Sequence, residues 1–97
     1  MQLITPRQLK DRLEQGESLI IIDVREDDEV AQGMIPGAKH IPLMQIPDRL
    51  SEIPQQEEAI LVCRSGNRSG RAYDFLAAQG YSKLKNMSGG MLEWETL

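Results

Sequence analysis

Apolar residues fall along this chain in short blocks set off by turn residues, and the blocks are of two kinds. Leu19 to Ile22 and Ala59 to Val62 are unbroken aliphatic runs. Runs of that length fit strands buried on both faces of a parallel sheet. The other blocks have helical spacing. Leu9 and Leu13 stand four apart after Thr5-Pro6-Arg7-Gln8, where Thr5 can cap, Pro6 suits the first helical position and Gln8 completes a capping box. Ile4 and Leu9 occupy staple positions, and Gly16 is the natural stop of that helix. Ile46, Leu50 and Ile53 predict a short helix ended by Pro54, followed by a solvated loop over Gln55 to Glu58. Ala72, Tyr73, Phe75 and Leu76 predict a longer helix closed by Gly80. Weaker signals give a short helix over Glu26 to Gln32, a turn at Ile35-Pro36-Gly37-Ala38 and an extended piece at His40-Ile41-Pro42. A last strand is expected over Tyr81 to Asn86, then a turn at Ser88-Gly89-Gly90 and a terminal helix carrying Met91, Leu92 and Trp94. Strands alternating with helices predict a small three-layer α/β domain with a mainly parallel central sheet flanked by helices.

Composition narrows the picture. With 97 residues, 40% hydrophobic and 27% charged, the chain reads as one globular domain spanning 1–97. A net charge of −4 argues against nucleic acid as a partner. The single cysteine can form no internal disulfide and has no resolving thiol within the chain. With one histidine beside it, no metal site is expected, and no cofactor is called for. No segment approaches the roughly 20 apolar residues of a membrane span, so no membrane partner is expected. The opening MQLITPRQLK lacks the apolar core of a secretory signal, and the expected location is a reducing, cytoplasmic one.

Chemistry concentrates after the second aliphatic run. Cys63 stands where that strand ends, and a polar, glycine-bearing, basic loop leads into the next helix. Arg64, Arg68 and Arg71 lie within eight residues of Cys63, and no Asp or Glu occurs from Ala59 to Tyr73. A helix N-terminus and local positive charge both favour an anion, so the thiol should ionise below its free value of roughly 8.5. Successive amides of a tight Arg64-Ser65-Gly66-Asn67-Arg68 loop can form a nest around the sulfur, with Ser65, Asn67 and Ser69 as further donors. Such a site suits a small dianion with an electrophilic atom. Sulfur and phosphorus both qualify at this point, and the bland alternative is a buried structural cysteine. Asp23 and Arg25 also end a strand, where open α/β sheets place their sites. Arg25 reads more simply as a brace paired with Glu26 or Glu29. His40 reads as structural, and Trp94 as core.

These motifs, in this order, resemble the single-domain rhodaneses, a family of sulfurtransferases. The match runs through Asp23-Val24-Arg25 with Glu29, Gly33 to Ala38 and His40-Ile41-Pro42. It continues with Cys63 to Ser69, and with Gly80 through Ser88-Gly89-Gly90 to Trp94. Val30 stands where many relatives carry an aromatic residue, and Met34 where histidine is common. The resemblance implies that Cys63 takes the outer sulfur of an anionic donor such as thiosulfate. It would hold that sulfur as a persulfide and pass it to an external thiol or a sulfur-acceptor protein, or to cyanide in vitro. Arg64, Ser65, Gly66, Asn67, Arg68 and Ser69 would cradle the anion, and Asp23, Arg25 and Glu29 would be scaffold. The related dual-specificity phosphatases have a loop one residue longer, which favours sulfur over phosphoryl transfer here. The alternatives are a cysteine-based phosphatase or arsenate reductase relative, and a non-catalytic docking module.

Overall fold

A computed structural model describes all 97 residues. Its centre is a five-stranded sheet whose strands are β1 (Leu3–Ile4), β2 (Ile20–Asp23), β3 (Lys39–His40), β4 (Ala59–Val62) and β5 (Leu84–Met87). Their spatial order is β1-β5-β4-β2-β3, and every pairing is parallel. The two aliphatic runs are thus neighbours in the middle, with Ile20 beside Ala59 and Asp23 beside Val62. Helices α1 (Pro6–Glu14), α2 (Asp27–Val30), α3 (Asn67–Ala78) and α4 (Gly90–Trp94) connect and cover the strands.

Successive strand residues point to opposite faces, and the core divides accordingly. Ile22, Val24, Ala59, Leu61, Cys63 and Leu84 pack on one face against Ala72 and Leu76 of α3. Ile21, Ile60, Val62 and Met87 pack on the other against Leu9 of α1 and Met91 of α4. Cys63 therefore shares its face with Leu61 and looks toward α3. Unbroken apolar runs are required because both faces are covered.

Helix α1 starts as its sequence dictates. The Gln8 amide donates to Thr5 Oγ1 at 3.1 Å, and the Thr5 amide donates to Gln8 Oε1 at 2.9 Å. Three features differ from the sequence reading. Strand β1 carries no pattern of its own, being a two-residue edge piece held by β5. The last strand begins at Leu84, and Tyr81 is instead a buried anchor whose hydroxyl donates to the Ile53 carbonyl at 2.6 Å. The stripe Ile46-Leu50-Ile53 is not an α-helix but two 3-10 turns, Leu43–Asp48 and Leu50–Glu52. Pro47 lies inside the first turn and has no N–H to give to an α-helical ladder. No helix of this chain is long and apolar enough to cross a membrane.

Candidate functional site

Strand β4 delivers Cys63 fully buried at its carboxyl end, and the chain then turns through Gly66 into α3. Gly66 caps α3 with φ of +103°, a conformation that favours glycine. This turn brings the Gly66 amide to 3.1 Å from Cys63 Sγ. One turn into α3, Ser69 is buried with its Oγ 3.3 Å from Sγ and 2.5 Å from Asn86 Oδ1. Burial pushes the Cys63 thiol up, but the Ser69 hydroxyl and the amides of Ser69, Gly66 and Ser65 outweigh it. The thiol is held below its ordinary value.

The arginines are arranged otherwise than their spacing suggests. Arg68 closes a fork on Glu29 of α2, with contacts of 2.6 and 2.8 Å, and its charge also acts on Cys63. The guanidinium holds the Glu29 carboxyl down at about 2. Glu29 also accepts from the Glu26 amide at 3.0 Å, so it closes the start of α2 as well. Arg25 therefore does not pair with Glu26 or Glu29. Its guanidinium donates to Asp23 at 2.8 to 3.1 Å and to the Gly33 carbonyl at 2.8 Å. Both side chains of that pair are buried. A two-residue spacing at the end of β2 lets the backbone bend so that fork and carboxylate meet. Arg64 is exposed and lines a cleft of about 340 Å³ with Asp28, Gln32, Leu92 and Glu95. Arg71 is exposed on α3. The three guanidinium groups thus do not gather on the sulfur: Ser69 and the loop amides are the leading causes of its lowered pKa, and Arg68 alone of the three adds a charge interaction. Cys63, Gly66 and Ser69 meet around Sγ, whereas Arg64, Ser65 and Asn67 present exposed side chains.

Residues far along the chain complete the site. The Met91 amide donates to the Cys63 carbonyl at 2.9 Å, and the Leu92 amide to the Arg64 carbonyl at 3.0 Å. Gly90 makes this approach possible, because a Cβ there would stand 2.4 Å from the Arg64 backbone. Asn86, buried on β5, donates from Nδ2 to the Gly66 carbonyl at 3.1 Å. Its only sequence signal is a polar residue in a strand that is weakly patterned. The Gly89-Gly90 pair reads as a turn without revealing what it touches. His40 Nε2 lies 2.7 Å from the Arg25 carbonyl and serves the scaffold.

Comparison with known proteins bears on the chain as a whole. The Rhodanese-like domain profile matches residues 5–97. The Bacillus subtilis protein YtwF, named provisionally as a sulfurtransferase, is 45% identical over 92 residues, covering 95% of this chain and 88% of its own length. A sulfurtransferase of Allochromatium vinosum is 42% identical over 91 residues, covering 94% of this chain and 85% of its own. The crystal structure of a rhodanese-like domain protein from Staphylococcus aureus superposes with a TM-score of 0.92 at 40% identity, covering 97% of this chain and 91% of that one.

Proposed function

The chain belongs to the rhodanese-like family, and from that premise we propose that it transfers sulfane sulfur through a persulfide on Cys63. The donor is a small anion such as thiosulfate. The acceptor is a thiol or a sulfur-acceptor protein, with cyanide as a substitute in vitro. The names of its sulfurtransferase relatives support this reading. The observation that carries it is the setting of Sγ, which faces the Gly66 amide at 3.1 Å with the Ser65 and Ser69 amides beside it. Donors so placed hold a sulfur anion without a general base.

The Cys63 thiolate attacks the outer sulfur of thiosulfate. A bond from Sγ to that sulfur forms as the donor's S–S bond breaks, and its electron pair leaves with sulfite. The persulfide carries the remaining negative charge on its outer sulfur, within reach of the loop amides. A nucleophile then takes the outer sulfur, and the bonding pair returns to Sγ as thiolate. No oxidant or reductant is consumed. Arg64 meets the incoming dianion at the exposed side of the loop. Arg68, Asn67 and Ser65 shape the loop and complete the cradle. Because Cys63 is fully buried, the loop must open for the donor to reach Sγ.

Thiocyanate formation from thiosulfate and cyanide tests this directly. The wild-type protein should turn over, and Cys63→Ser should fall to background, since a serine hydroxyl is un-ionised at neutral pH and a poor nucleophile for sulfur. A Cys63→Ser variant with wild-type turnover would overturn the reading.

A further inference from the structure

We propose that Asn86 is a positioning residue that competes with the Cys63 sulfur for the one hydrogen of the Ser69 hydroxyl, so that this hydrogen changes partner with the charge on Sγ. This role rests on the sulfur chemistry proposed above, but it is read on the thiol itself, without turnover.

The donors settle the arrangement. One end of the Asn86 carboxamide faces the Gly66 carbonyl at 3.1 Å, and a carbonyl only accepts, so that end is the NH2 group. The other end is then the carbonyl Oδ1, which only accepts, and it lies 2.5 Å from Ser69 Oγ. A hydroxyl has one hydrogen. In the shorter of its two contacts it must point to Asn86, so the contact of 3.3 Å to Sγ is spanned by the thiol hydrogen, donated to a Ser69 lone pair. The resting chain therefore runs from Cys63 S–H to Ser69 O–H to Asn86 Oδ1.

Ionisation reverses the middle link. When the thiol proton leaves to solvent, Sγ becomes an acceptor, and the Ser69 hydroxyl turns about its Cβ–Oγ bond to donate to it. No covalent bond breaks. Asn86 Oδ1 is left buried without a donor, which is costly. When an outer sulfur is attached, the charge moves from Sγ to that sulfur and the hydrogen returns to Asn86. Asn86 thus opposes the amides and limits how far the thiol pKa falls, which preserves nucleophilicity, since reactivity declines as pKa declines. The charged groups around this chain are Arg64 of the loop, Arg68 and Arg71 of α3, with Glu29 of α2 on Arg68, and the terminal amine of Met1, whose Sδ lies 3.3 Å from Asn86 Nδ2. Strand β5 adds Lys85, paired with Glu58; α4 adds Glu93, and Glu95 caps its end. A substitution at position 86 alters none of them. It also leaves the Gly66 carbonyl its bond from the Gly70 amide at 3.0 Å.

The experiment is the pH dependence of Cys63 alkylation by iodoacetamide in wild type, Asn86→Ala, Ser69→Ala and the double variant. Asn86→Ala should lower the midpoint by about half a pH unit, roughly a threefold gain in thiolate below it. Ser69→Ala should raise the midpoint, and the double variant should coincide with Ser69→Ala alone. No fall in Asn86→Ala, or the same fall with and without Ser69, would overturn the proposal. Asn86→Leu fills the space and should reproduce the fall if the alanine variant loosens the loop. In the unmutated protein, the carboxamide carbon resonance of Asn86 should move with the alkylation midpoint, and a resonance that does not respond would overturn the proposal by itself. A protein that fails to transfer sulfur but shows this coupling would refute the function and keep the role of Asn86.

Discussion

Arg64 of the loop and Arg68 at the start of α3 carry the same charge, and their partners give them different work. Arg68 holds Glu29 through two contacts of 2.6 and 2.8 Å, while Arg64 is exposed beside the cleft. Removing Arg64 should therefore weaken capture of the dianion and leave the fold alone. Arg64→Ala should raise the KM for thiosulfate several-fold, with stability changed by less than about 0.5 kcal/mol. Arg68→Ala strips Glu29 of its partner and should lower both stability, by about 1 kcal/mol, and turnover. Glu29→Gln should do much the same, and the double variant should be no worse than either alone. Arg7→Ala should change neither, because its contact with Asp11 is 3.7 Å between exposed side chains. Steady-state kinetics and melting curves separate these outcomes. The two arginines look equivalent in sequence because the partner that distinguishes them lies 39 positions away. The thiol itself was more legible. A strand end, a glycine turn and a helix start are local signals, and together they are enough to place donors around Sγ.

Among the elements, α4 shows how a short segment holds a site it does not contain. Its first amides fasten the carbonyls of Cys63 and Arg64, and two adjacent glycines make the approach. They differ in what a side chain would meet. A Cβ at Gly90 would stand 2.4 Å from the Arg64 backbone and 2.6 Å from the Cys63 carbonyl, with φ of +58°. A Cβ at Gly89 would meet first the flexible Glu93 side chain, with φ of +71°. Gly90→Ala should therefore destabilise by about 3 kcal/mol or more, from positive φ and overpacking together, and displace the loop. Gly89→Ala should cost about 1 to 2 kcal/mol for its positive φ. Thermal melting with thiol alkylation rates checks both. The capping box of α1 was fully readable because its partners are three residues apart. Strand β1 was not, because an edge strand of two residues takes its form from β5. The stripe Ile46-Leu50-Ile53 identified core contacts correctly, with Ile46 and Ile53 buried and Leu50 packed against them at the edge, and Pro47 set the helix type.

At the scale of the whole molecule, one ion pair braces the first half of the chain and a second ties it to the site. The buried Arg25–Asp23 pair anchors the end of β2 to Gly33. Asp23→Ala would leave a buried cation unpaired and should cost about 3 to 5 kcal/mol. The Glu29–Arg68 pair joins α2 to the loop, and its contribution depends on pH. Glu29 is lowered from 4.5 to about 2 on folding, so the stabilisation is complete above the higher value. It is lost as pH falls through the lower one. Between those limits the melting temperature of the wild-type protein should fall more steeply than that of Glu29→Gln. The layered α/β class was legible because both central strands must be apolar on both faces. The Glu29–Arg68 pair was not, because spacing carries no information about which distant carboxylate a guanidinium will find.

The central claim is that Cys63 carries transferred sulfur covalently, and intact mass spectrometry measures it most directly. Incubation with thiosulfate should add the mass of one sulfur atom to the wild-type protein and none to Cys63→Ser. Cyanide or a thiol should then remove it. A mass unchanged by thiosulfate, or a gain retained in Cys63→Ser, would contradict the claim.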